Sequence, residues 1–112
     1  MALLQKRIKV FVLEKTVVGE LDLTVEGFYR NVLAFNFDVK KKRYLHIQVR
    51  SDAPVDVAVA NSDGSSLTHK ERIIQTEIGP VPTGSNKDMG IFFGVVPGDK
   101  ATVEAEIWMD KE

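Results

Sequence analysis

Residues 33–59 read LAFNFDVKKKRYLHIQVRSDAPVDVAV, and their two-residue alternation decides the fold class. Leu33, Phe35, Phe37 and Val39 alternate with Ala34, Asn36 and Asp38. Leu45, Ile47 and Val49 alternate with His46, Gln48 and Arg50, and Val55, Val57 and Val59 with Asp56, Ala58 and Ala60. A strand sends successive side chains to opposite faces, so this pattern makes half-buried antiparallel strands with one apolar side.

The same reading extends in both directions. Residues 7–13 form a first strand, with Ile8, Val10 and Val12 on one face and Phe11 and Leu13 on the other. Residues 17–25 form a second, with Gly19 marking a bulge, and residues 29–39 a third. Residues 44–50 and 55–61 are a fourth and a fifth, separated by a turn at Ser51, Asp52, Ala53 and Pro54. Residues 72–78, 90–96 and 101–109 complete the set. Residues 67–74 are compatible with a short helical turn, and residues 79–88, with Pro80, Pro82 and Gly84, read as a long irregular loop. About eight short strands with turns at near-regular spacing predict one all-β domain over residues 1–112, an antiparallel β-sandwich of jelly-roll type.

The chain has 112 residues, 44% of them hydrophobic, enough for one core without staples. It contains no cysteine, which removes disulfides, thiolate nucleophiles and soft metal sites together. The net charge of -1 speaks against a dedicated nucleic-acid binder, whose affinity comes from neutralising phosphates. Lys6, Arg7 and Lys9 interrupt any apolar run near the start, and no stretch approaches the roughly 20 apolar residues that span a bilayer. The expectation is a cytoplasmic protein without membrane insertion.

No set of residues announces chemistry. Asn61, Ser62, Asp63, Gly64, Ser65 and Ser66 make an oxygen-rich loop, but one carboxylate falls short of a calcium site and reads as an ordinary turn. His69 lies near Ser65, Ser66 and Asp63 in sequence, which is no measure of a catalytic geometry. His46 stands alone on a polar face, and the two histidines lack zinc spacing. No catalytic residue, metal ligand or cofactor site is therefore assigned.

Three features suit contact with a partner. Trp108 lies on the polar face of the last strand, opposite Val103, Ala105, Ile107 and Met109, where an aromatic ring can meet a partner side chain or a sugar, or cap the fold's end. Met89 and Phe92 follow the long 79–88 loop, and long loops often carry function. Lys40, Lys41, Lys42 and Arg43 form the densest charge cluster, suited to an anionic surface or acidic partner, or simply to a solvated turn.

The stretches FNFDVKKKRYLHIQVRS, APVDVAVANSDGSSLTHK and MGIFFGVVPGDKATVEAEIWM resemble, in their order of strands and turns, the Golgi-dynamics (GOLD) domain and similar small β-sandwich modules. The resemblance implies a jelly-roll-like sandwich used for protein–protein contact, with no catalytic residues to carry across. The chain departs from that family's secretory cargo receptors in lacking cysteines and a coiled-coil segment. The functional expectation is a non-catalytic protein-binding or assembly module whose partner is another protein or a second copy in a homodimer. The alternative is a carbohydrate- or calcium-binding module.

Overall fold

The computed structural model describes residues 7–22 and 28–111, and every described element is a strand. In chain order these are β1 (Arg7–Val18), β2 (Glu20–Asp22), β3 (Phe28–Arg30), β4 (Val32–Asp38), β5 (Tyr44–Ala60), β6 (Ser66–Pro82), β7 (Asp88–Gly94) and β8 (Ala101–Asp110). The second expected strand and the turn after it fall partly on residues 23–27, outside the described residues.

The strands form one six-stranded antiparallel sheet rather than an eight-stranded array, and β2 and β3 pair separately as a small hairpin. The order is β1-β8-β5-β7-β4, with β6 along the other edge of β5. Its two outer members come together: Phe11 of β1 packs at a tilt against Phe35 and Phe37 of β4 at centroid distances of 5.7 and 5.8 Å. Phe35 in turn meets Phe93 edge-on at 6.3 Å. The sheet is thus nearly closed as a barrel, with aromatic packing in place of a hydrogen-bonded ladder along the β1–β4 seam.

β5 organises this closure. It is 17 residues long and pairs with β6 along its whole length. On its opposite edge, residues 45–51 pair with β8 and residues 56–60 with β7. A straight strand of that length would span roughly 55 Å. Yet its two ends meet at the 83–87 loop, since Lys42 N–H donates to Gly84 O while Asn86 Nδ2 donates to Asn61 Oδ1. Five extended residues reach at most about 18 Å, so β5 and β6 must fold back on themselves together.

The bend lies where the sequence suggested a turn. Between Arg50↔Gln75 and Val55↔Ile73 the register shifts, so Ser51, Asp52, Ala53 and Pro54 form an irregularity inside one strand and do not separate two. Ser51 Oγ donates to Ala53 O, and Thr102 N–H donates to Asp52 Oδ1, which pins the bend against β8. Across it β6 bulges at Arg72, whose φ of 52° is stabilised by its N–H donating to Asp56 Oδ1. β6 also runs through residues 67–74, expected as a helical turn, and through residues 79–82, expected as irregular. Proline is tolerated there because β6 has a single neighbour among the described strands, and its outer edge bonds to none of them.

The alternation in β5, β7 and β8 fills the interior. Leu45, Ile47, Val49, Val55, Val57 and Val59 meet Met89, Ile91 and Phe93 from β7 and Val103, Ala105, Ile107 and Met109 from β8, all buried. Full burial of one such large side chain stabilises by roughly 1.5–3 kcal/mol. β1 obeys a different pattern from its sequence. Register shifts between Lys9 and Phe11 and between Leu13 and Thr16 exchange its faces. Ile8, Phe11 and Leu13 therefore all stand opposite core residues of β8, and Val12, expected beside Ile8, is exposed.

Candidate functional site

Trp108 stands on the outer face of β8, as its alternation predicts, in register with Lys9 on one side and His46 on the other. Its ring is half-buried, and Lys9 Nζ sits 5.3 Å from the ring centroid in a cation–π contact. The neighbouring polar side chains engage one another. His46 Nε2 lies 3.0 Å from Asp110 Oδ1, Arg7 Nε donates to the same oxygen at 3.3 Å, and Gln48 Nε2 donates to Glu77 Oε1 at 3.3 Å. Arg7, His46, Gln48, Glu77 and Trp108 line a shallow open groove over Ile47 and Ile78.

Met89 and Phe92, adjacent in the sequence expectation, separate in space. Met89 is 1% exposed and faces the core between β4 and β5, so it offers no surface to a partner. Phe92 lies on the outer face of β7, opposite Ala34 and Ala58. A Cβ on Gly90 would stand 3.2 Å from the Phe92 ring, so the missing side chain there makes room for that ring to lie against the sheet.

The 79–88 segment is held at both ends of the bent hairpin. Thr83 is the one buried polar side chain among the described residues. Its Oγ1 accepts Arg43 N–H at 2.8 Å and donates to Lys40 O at 2.7 Å, while its own N–H donates to Arg43 O at 2.8 Å. Lys42 adopts φ 58° within this clasp. Lys40, Lys41 and Lys42 point their side chains into solvent, whereas Arg43 is half-buried, with Nη1 donating to Lys41 O. The basic run is therefore a clamped turn with free lysine side chains. Neither the Thr83 clasp nor the Asn86 bridge to Asn61 and Ser62 was visible in the sequence, where both residues read as loop polar groups.

The remaining polar candidates stay apart. Asp63 Oδ1 accepts both the N–H and the hydroxyl of Ser65, and these bonds hold its carboxyl below the usual carboxylate range, the hydroxyl contributing most. His69 lies beside Glu71 at 3.6 Å, both largely exposed, rather than against a serine. Among the described residues no three His, Cys, Asp or Glu side chains gather as a metal site. No described helix is long and apolar enough to cross a membrane.

The feature that sequence reasoning did not isolate is the outer edge of β6. β6 pairs with β5 alone, so its second row of backbone donors and acceptors meets no described strand over 17 residues. Its register explains why it is also poorly covered. Lys70 pairs with Val57 and Thr68 with Val59, so both stand on the core-facing side at the open mouth of the barrel. Leu67, Thr68 and Lys70 from one arm of β6 share a groove there with Ile78, Val81 and Pro82 from the other. Ile74, at the bend, is 54% exposed.

No protein-family model matches this chain, and no curated protein is similar enough to it to count as a relative.

Proposed function

We propose that this protein is a non-catalytic protein-binding module that takes up an extended strand along the outer edge of β6. The observation that carries the reading is the unpaired edge over residues 73–78. It lies between the bulge at Arg72 and the register shift at Gly79, and Glu77 is its only charged residue. Natural edges are blunted by bulges, prolines and inward-pointing charges. On β6 itself all three lie outside this window, Lys70 and the Arg72 bulge before it and Pro80 and Pro82 after it, while the extra residues of the bend opposite 73–75 belong to β5. A bare segment between two protected ones suits β-augmentation, in which main-chain hydrogen bonds supply affinity and alternate side chains supply specificity. The partner is another protein or a second copy of the chain. We propose a jelly-roll-like sandwich as the finer description of this barrel, because the two halves of β5 pair with different strands, one with β8 and the other with β7.

The test combines light scattering over a wide concentration range with cross-linking in native lysate. Cross-links and amide-exchange protection should map to residues 73–78, and Ile74→Lys should abolish both while leaving the melting temperature unchanged. A monomer at all concentrations, with lysate cross-links mapping elsewhere, would overturn the reading.

A further inference from the structure

The sequence shows one basic run, but the fold adds to it. Val39 N–H donates to Lys87 O, and Lys40 N–H donates to Met109 Sδ at the end of β8. These two bonds bring Lys87 and the C-terminal end of β8, followed by Lys111, to the same end of the barrel as Lys40, Lys41, Lys42 and Arg43. The five lysines are exposed. Asp38 and Asp88, paired across β4 and β7, share this pole, while Asp110 is already engaged by Arg7 and His46. Six cations thus gather at one end of a chain whose net charge is -1. Tyr44, 49% exposed, stands directly beside them.

We infer that this pole docks the protein peripherally on an anionic phospholipid bilayer. Three observations favour a lipid surface over the other polyanions. The pole is built of lysines, point charges on long stems that suit a diffuse charged plane, with only a half-buried arginine where paired phosphates would call for forks. Among the described residues its one exposed aromatic is a tyrosine, the residue type that settles at headgroup level, and no described stacking strip for bases accompanies it. The rest of the molecule carries the compensating negative charge, which repels an anionic plane and leaves the pole as the end that faces it. The Thr83 clasp fixes the turn, so the lysines are presented without ordering a loop on contact.

The experiment is flotation of the full chain with phosphatidylcholine vesicles, with and without 30% phosphatidylserine, at low salt. Binding should require phosphatidylserine and fade as salt screens the charges. A lysine near such a surface contributes about five-fold in affinity, so replacing Lys40, Lys41 and Lys42 by alanine should lose on the order of 100-fold. Lys87→Ala and Lys111→Ala should each lose about five-fold, and Lys100→Ala, at the other end of β8, nothing. The inference is overturned by equal binding to pure phosphatidylcholine, by a Lys100→Ala loss matching that of Lys87→Ala, or by tighter binding to a single-stranded RNA oligonucleotide than to the vesicles. Thermal melts of each variant separate lost binding from lost folding.

Discussion

Replacing Thr83 by valine tests whether a single hydroxyl holds the two loops at the basic end together. Valine keeps the side-chain shape and removes the oxygen. Two main-chain groups then lose their partners: the Arg43 N–H that donates to Oγ1 at 2.8 Å and the Lys40 carbonyl that accepts from it at 2.7 Å. A buried polar group left unsatisfied costs about 1–3 kcal/mol. Thr83 itself is fully buried, but both partners lie in a part-buried turn that water can reach, so the lower half of that range applies to each. The expected loss is about 2–4 kcal/mol for Thr83→Val, read from urea denaturation midpoints at constant slope. Thr83→Ser keeps the hydroxyl and removes one methyl, a loss of about 1 kcal/mol. The Thr83 N–H to Arg43 O bond survives in both variants, so the strand ends stay paired. If valine and serine destabilise equally, volume rather than hydrogen bonding sets the effect and the clasp explanation fails. It fails equally if Thr83→Val melts with the parent protein.

Gly19→Ala should be among the most damaging substitutions: Gly19 has φ 94°, and a Cβ would run into the Asp99 carbonyl and the Val95 side chain, so about 3–4 kcal/mol is expected in a denaturant titration. Phe11→Ala should cost about 3 kcal/mol and, because no ladder joins β1 to β4, should speed amide exchange in β4 before β8. Trp108→Ala removes the Lys9 contact, worth about 0.5–1 kcal/mol, and should leave strand uptake at residues 73–78 unchanged when followed by cross-linking. Asp63 should titrate below ordinary carboxylates by NMR and move up in Ser65→Ala. Because its folded pKa is the lower one, its contribution to stability is complete above the unfolded carboxylate pKa and disappears as pH falls through the folded value.

The interior was legible because alternation reports directly on which side of a strand is wet. Val55, Val57 and Val59 needed no tertiary information, nor did Ile107 and Met109. Reading failed wherever a strand continued through residues that usually end one. Ser51, Asp52, Ala53 and Pro54 have turn composition, yet here turn residues serve a bulge that bends β5 without breaking its ladder with β6. Pro80 and Pro82 stay within a strand because β6 is an edge. In β1 one residue between Lys9 and Phe11 reverses the faces, and a period of two cannot announce where it will be interrupted. The site residues divide similarly. Trp108 and the lysines of the basic turn lie outside, as their neighbours imply, whereas Met89 is core because the alternation of β7 begins with it. Thr83 and Lys87 acquire their roles only from residues 40 or more positions away.

The long bent hairpin connects these features. Folding β5 back on itself buries both of its halves, but β6, following the same curve on the outside, has no second neighbour among the described strands to bury it. The exposed edge is therefore a consequence of closing the barrel with one long hairpin in place of two short ones. Evolving more alternation in β6 would not remove the edge and would make it stickier, since a flat apolar edge pairs indiscriminately. The sequence answers differently on each arm, with Lys70 turned to the mouth on one and prolines ending the other. Only the bend itself, where Ile73 packs on the core and Ile74 is left outside, lacks such a guard. A lysine at position 74 would have completed the protection at almost no structural cost, because that side chain already lies in solvent. The proposed strand uptake requires this gap, since a charge at position 74 would block an incoming strand and the exposed isoleucine leaves the way open.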